Sequence, residues 1–152
     1  MDTSEAVLDF RVAPQPHLSR VVRDRVAEFA CSHGVRTEDL EHFLLALGEA
    51  LANAIEHARA EGPIEIEVRV LPDRIVASVQ DHGVGFRSGL VPEPDLPPPE
   101  AERGRGLPIM RRCCDIFALK TTPGRGTAVV IGRFLRASGA TARGANAPAG
   151  VA

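Results

Sequence analysis

Two hydrophobic rhythms run along the chain. Ala6-Val7-Leu8-Asp9-Phe10-Arg11-Val12 reads as a first strand, ended by Pro14 and Pro16. From His17 to Ser32, Leu18, Val21, Val22, Val26 and Phe29 recur at helical spacing. Ser32-His33-Gly34 stops that helix, with Gly34 as a C-terminal cap. Thr37 resembles an N-cap, and Glu38 and Asp39 place negative charge in the first turn, where it suits the helix dipole. A long helix then runs to about Ala60. Its apolar stripe is Leu40, Phe43, Leu44, Leu47, Leu51, Ile55 and Ala58, and Gly62-Pro63 ends it.

The rhythm then switches to two. Ile64-Glu65-Ile66-Glu67-Val68-Arg69-Val70 alternates strictly, as a half-buried strand does. Leu71-Pro72-Asp73-Arg74 is a turn, and Ile75 to Gln80 returns as the second strand of a hairpin. Val91–Pro99 holds five prolines and reads as an extended loop. Gly104-Arg105-Gly106 opens a short helix with Leu107, Ile109 and Met110 inward, where Pro108 fits only within the first turn. Ile116 to Lys120 and Ala128 to Leu135 are two further strands around a Gly124-Arg125-Gly126-Thr127 turn. The Ala/Gly-rich stretch 137–152 is expected to be disordered, leaving one domain over residues 1–136. The order β-α-α-β-β-loop-α-β-β is that of an α+β fold: a mixed, largely antiparallel sheet with helices on one face.

Composition sharpens the picture by exclusion. With 152 residues, 18 basic and 20 acidic side chains and a formal charge of −2, the chain has no electrostatic footprint for nucleic acid or an anionic membrane. No apolar run approaches a bilayer span, and Met1-Asp2-Thr3-Ser4-Glu5 has no signal-peptide pattern, so a cytoplasmic location is expected. Only Lys120 is lysine, and it follows Phe117-Ala118-Leu119, so a P-loop is excluded. Cys31, Cys113 and Cys114 offer neither a disulfide framework nor a zinc site; of the adjacent pair, one is expected buried and its neighbour less so. Without Trp or Tyr, a base-stacking platform is poorly supplied.

Four clusters carry candidate chemistry. Glu49 and Asn53, four apart, point the same way on the long helix, opposite the Leu47/Leu51/Ile55 stripe, and His57 continues their row. By itself such a row is a solvated polar face; as a metal stripe, Asn with a phosphate partner suits Mg²⁺. Asp81-x-Gly83-x-Gly85 leaves a strand end, where glycines permit close approach and the carboxylate can accept from an amino donor such as that of adenine. Gly104-x-Gly106 at a helix start, flanked by Arg103 and Arg105, offers free backbone N–H groups and cationic side chains to a phosphate. Gly124-x-Gly126-Thr127 opens a strand, and alone is a hairpin turn.

In this order the four clusters resemble the N, G1, G2 and G3 boxes of the GHKL ATPase superfamily, over about Val7 to Arg136. Size and the motif Gly48-Glu49-Ala50-Leu51-Ala52-Asn53-Ala54-Ile55-Glu56-His57-Ala58 look like the anti-sigma-factor serine kinases of the RsbW type, stand-alone bacterial domains. The resemblance implies a Bergerat-type two-layer α/β sandwich. It implies Asn53 as the ligand of a Mg²⁺ ion bridging the phosphates of ATP, and Glu49 as general base toward a substrate serine. Asp81 would bond the adenine amine, with Thr127 supporting through water, and Gly83 and Gly85 would shape the pocket wall. Gly104 and Gly106 would bind phosphates by backbone, with Leu107 among the nucleotide-binding positions. Arg105 would contact a phosphate, with Arg103 beside it, and Phe86 to Arg103 would form a lid. Where many members read Gly-x-Gly-Leu-Gly-Leu, Gly104-Arg105-Gly106-Leu107-Pro108-Ile109 loses one N–H to Pro108.

The partners implied are a sigma factor and a STAS-type anti-anti-sigma protein, with a homodimer whose surface is placed on the Val21/Val22/Val26/Phe29 helix. Two other readings stand beside this one: a nucleotide-binding module that sequesters a partner without kinase activity, and a histidine-kinase-like domain acting in trans.

Overall fold

The computed structural model describes residues 5–58, 62–83, 106–122 and 125–136. Eight elements follow in order: β1 (Ala6–Val12), α1 (Leu18–Ser32), α2 (Thr37–Ala58), β2 (Ile64–Leu71), β3 (Arg74–Gln80), α3 (Gly106–Cys113), β4 (Ile116–Thr122) and β5 (Gly126–Phe134). The expected α+β class and single helical layer are present. Helix α1 ends where Gly34 adopts φ +87°, with the Gly34 N–H donating to the Cys31 carbonyl, as the predicted cap requires. Helix α2 begins one residue earlier than the capping pattern implies. Thr37 is already helical, and the Arg36 carbonyl accepts from the Asp39 N–H at 3.0 Å.

The five strands lie in the order β1-β2-β3-β5-β4, and every pairing among the described residues is antiparallel, where a mixed sheet was expected. Chain direction explains this. Two helices between β1 and β2 reverse the chain an odd number of times, so the strands meet head to tail. The single helix α3 between β3 and β4 leaves those two running the same way, but β5 inserts between them. Gln80 pairs with Ala128 and Thr121 with Thr127, so the start of β5 is gripped on both sides.

One face of this sheet is apolar and covered. Ile64, Ile66, Val68 and Val70 of β2, Ile75, Ala77 and Val79 of β3, and Val129 and Ile131 of β5 are buried. Phe43, Ala46, Leu47, Ala50, Leu51 and Ala54 of α2 complete the same core, with α1 and α3 on its flanks. Each large aliphatic or aromatic side chain buried here contributes about 1.5–3 kcal/mol. Two expectations are corrected. Val22 and Val26 of α1 belong to the core and cannot form a partner surface; of that set only Val21 is openly exposed, at 56%. In α2 the alanines at 46, 50 and 54 share the buried face with Leu47 and Leu51, while Leu44 and Ile55 are only partly buried.

Cys113 is buried and Cys114 half-buried, as expected of the adjacent pair. Burial pushes the Cys114 thiol up to about 11, so it stays protonated at neutral pH and makes a poor nucleophile. Among the described residues no helix is long and apolar enough to cross a membrane.

Candidate functional site

The site grows from the place where β3 ends beside the start of β5. Asp81 follows the last residue of β3 and is 3% exposed. Its N–H donates to the Thr127 carbonyl at 2.9 Å. Its Oδ1 accepts from the Gly83 N–H at 2.9 Å and from the Thr127 N–H at 3.2 Å. A buried carboxylate would be costly if left unpaired, and these two donors hold it. Oδ2 is the carboxylate's second oxygen, chemically suited to accept from an amino group. Asp81, Gly83 and Thr127 are therefore brought together, although Thr127 is 46 positions away from Asp81 in sequence.

Three neighbours complete this corner, and two of them, Gln80 and Thr121, are not marked by any sequence motif. Gly126 has φ +106°, and a Cβ there would lie 2.1 Å from the Asp81 carbonyl oxygen. Only glycine lets β5 start this close to Asp81. The Gln80 side-chain amide donates to the Asp81 carbonyl at 2.6 Å. The Thr127 hydroxyl donates to the Thr121 hydroxyl on β4 at 3.3 Å. The Thr121 contact was legible in principle, since the hairpin register places 121 opposite 127.

Glu49 and Asn53 sit in the C-terminal half of α2, and both are half-buried. They do not lie opposite the buried stripe. With about 100° per residue, Asn53 is about 40° further round the helix than Glu49, toward Ala50 and Ala54. The row thus runs along the border of the core. Four-residue spacing keeps their Cβ atoms about 6 Å apart, a carboxylate and an amide oxygen on one face. His57, also half-buried, continues the row.

Helix α3 packs against α2, with Leu107, Met110 and Cys113 buried between it and the rest of the core. Gly106 is its first residue and Pro108 its third, so the N–H that Pro108 lacks is one the helix would leave unpaired anyway. Gly85, Arg103, Gly104 and Arg105, the expected lid 86–103 and the expected tail 137–152 lie outside the described residues.

Among the described residues no three His, Cys, Asp or Glu side chains converge as a metal cage. The donor set present is the Asn53 amide oxygen with the Glu49 carboxylate one turn away. A single neutral oxygen donor fits an ion such as Mg²⁺, which keeps several waters and takes other ligands from substrate phosphates.

Residues 11–132 match the histidine kinase-like ATPase domain family. The chain belongs to that family. Within it the chain is RsbW-like. It is 31% identical over 125 residues to an anti-sigma F factor of Pasteuria penetrans, covering 76% of this chain and 82% of that one. It is 28% identical over 89 residues to a serine-protein kinase RsbW of Bacillus velezensis, covering 57% of this chain. The match spans 56% of that relative's own length. A crystal structure of the RsbU and RsbW domains of a Mycobacterium tuberculosis protein shares the fold, with a TM-score of 0.64 at 20% identity. That likeness covers 86% of this chain and 33% of the other.

Proposed function

We propose that this RsbW-like domain binds ATP and transfers its γ-phosphate to a serine of a STAS-type anti-anti-sigma protein, and that it also holds a sigma factor in a partner-switching pair. The observation that carries this reading is the Glu49–Asn53 row on the border of α2, the helix that α3 packs against, in one domain with the Asp81 corner.

Phosphoryl transfer needs positioning and charge neutralisation more than covalent help from the protein. Asp81 would orient adenine by accepting from its exocyclic amine, with Thr127 alongside and Gly83 and Gly85 forming the wall. The start of α3, with Gly104, Gly106 and Leu107, would meet the phosphates through backbone N–H groups, with Arg103 and Arg105 adding charge. Asn53 would hold Mg²⁺, which when bound neutralises phosphate charge. Glu49 would accept the proton of the serine hydroxyl as its oxygen bonds to the γ-phosphorus. The bond from that phosphorus to the β–γ bridging oxygen breaks, and ADP leaves. A homodimer in the cytoplasm completes the reading.

The test is transfer of labelled phosphate from ATP to a STAS-domain partner. Glu49→Gln should cut the rate by about 10²–10⁴-fold, the usual worth of a positioned base, with the unfolding transition unmoved. Transfer at the wild-type rate in both Glu49→Gln and Asn53→Ala would defeat this mechanism. Tight ATP binding without transfer would favour a sequestering module, and an acid-labile product would favour histidine as acceptor.

A further inference from the structure

Helix α3 has two ends, and only its first turn takes part in the reading above. At its other end the Cys113 carbonyl accepts a hydrogen bond from Arg133 Nη1 at 3.1 Å. Arg133 belongs to β5, and its side chain is 28% exposed. Asp115 holds the same junction from the β4 side. Its Oδ2 accepts from the Phe134 N–H at 2.9 Å and lies 3.9 Å from Arg133 Nε. Its own N–H donates to the Gly132 carbonyl at 2.9 Å. Arg133 Nε is buried without a hydrogen bond among the described residues, so its tie to Asp115 is electrostatic. Three successive residues of β5 thus grip the end of α3 and the residue just before β4.

A cation is favoured at a helix C-terminus, where carbonyls are left unpaired. Arg111 and Arg112 also occupy the last turn of α3, but both are exposed. Arg133 differs because it is anchored in β5, the strand that also carries Thr127. Along its inner face, β5 contributes Thr127 to the Asp81 corner and Arg133 to the tail of α3. Helix α3 is eight residues long, about 12 Å at 1.5 Å per residue. Helix α3 packs against α2, and the Arg133 bond ties its last turn to β5.

We infer that Arg133 is a positioning residue for the phosphate end of the site, holding the last turn of α3 on β5 by capping Cys113. The inference rests on the nucleotide reading given above, and it concerns the phosphates and not the base. Nothing in it needs Arg133 to touch the nucleotide.

The experiment compares ATP and adenosine binding by calorimetry, in the full chain, for wild type, Arg133→Gln and Arg133→Lys. Arg133→Gln should weaken ATP binding about tenfold and leave adenosine within about twofold, because the cap is lost while the Asp81 corner keeps its own bonds. Arg133→Lys keeps a cation that can donate to the carbonyl, and should restore ATP binding to within about threefold of wild type. Thermal unfolding of each apo variant shows whether it is folded. Equal losses for ATP and adenosine, or no loss for either, would overturn the inference. Wild type binding neither ligand would overturn the nucleotide reading, and this inference with it.

Discussion

The Asp81 corner and the α2 row are built by opposite means. At the corner, backbone does the holding: two N–H groups fix one carboxylate oxygen, and a third bond ties Asp81 to Thr127 across the β3–β5 pair. On α2, side chains do the presenting, from the border of the helix's buried face. The 22 residues of α2 are held by the apolar face, and Glu49 and Asn53 ride on its border. The corner has one geometry dictated by the fold, whereas the row can be altered chemically without disturbing its support. On the proposed reading, that division would let the site hold a base rigidly and still complete its phosphate end around a ligand.

Two glycines test the division most sharply. Gly126→Ala should have the larger effect. The new methyl would sit 2.1 Å from the Asp81 carbonyl at φ +106°, so the start of β5 must move away. A loss of about 3 kcal/mol or more is expected, combining backbone strain with broken hydrogen bonds at the corner. Chemical denaturation measures it, and a loss below about 1 kcal/mol would mean that the corner is not rigid. Gly48→Ala should do the reverse. A Cβ there meets only the Arg23 side chain, at 3.4 Å, and a helix-interior glycine becomes alanine. Stability should rise by about 0.5–1 kcal/mol.

Between these extremes lies Asp81→Asn. The Asn oxygen can still accept from Gly83 and Thr127, so the fold should survive with a loss of about 1 kcal/mol or less. The other position, however, becomes an NH₂ group that cannot accept from adenine. ATP binding should fall by about 10- to 150-fold, the equivalent of about 1.5–3 kcal/mol for a hydrogen bond to a charged group. Titration calorimetry reads this directly, and unchanged affinity would remove Asp81 from the base pocket.

Most elements were legible in the sequence because their signals were local. The alternation in 64–70, the prolines at 14 and 16 and the glycine at 34 each act within a few residues. What could not be read was set by distant pieces. The place of β5 between β3 and β4 depends on how α3 returns the chain, and no periodicity carries that information. The half-burial of Glu49 and Asn53 depends on alanines 46, 50 and 54 packing inward, which a stripe drawn from large apolar residues overlooks. Arg133 looked like one more charged residue in a strand, because its partner is a backbone carbonyl that has no signature in sequence. Of the four clusters, the second and fourth meet, since Asp81 and Gly83 join Thr127. The bonds that join Asp81 to Thr127, and Arg133 to Cys113, emerged only from the sheet.

The late position of β5 also bears on how the site comes into being during synthesis. Translation proceeds from the N-terminus, and Asp81 leaves the ribosome with Gly83 as its neighbour and no Thr127 to meet. A nascent chain that stops before Gly126 has the Asp81 carboxylate without the strand that clamps it, and lacks Arg133 as well. The Asp81 corner and the end of α3 therefore mature together when one strand docks. A ligand that binds only the finished arrangement would pull that last step to completion by mass action. If the proposed reading holds, nucleotide would serve as a proofreader of assembly before it serves as a substrate.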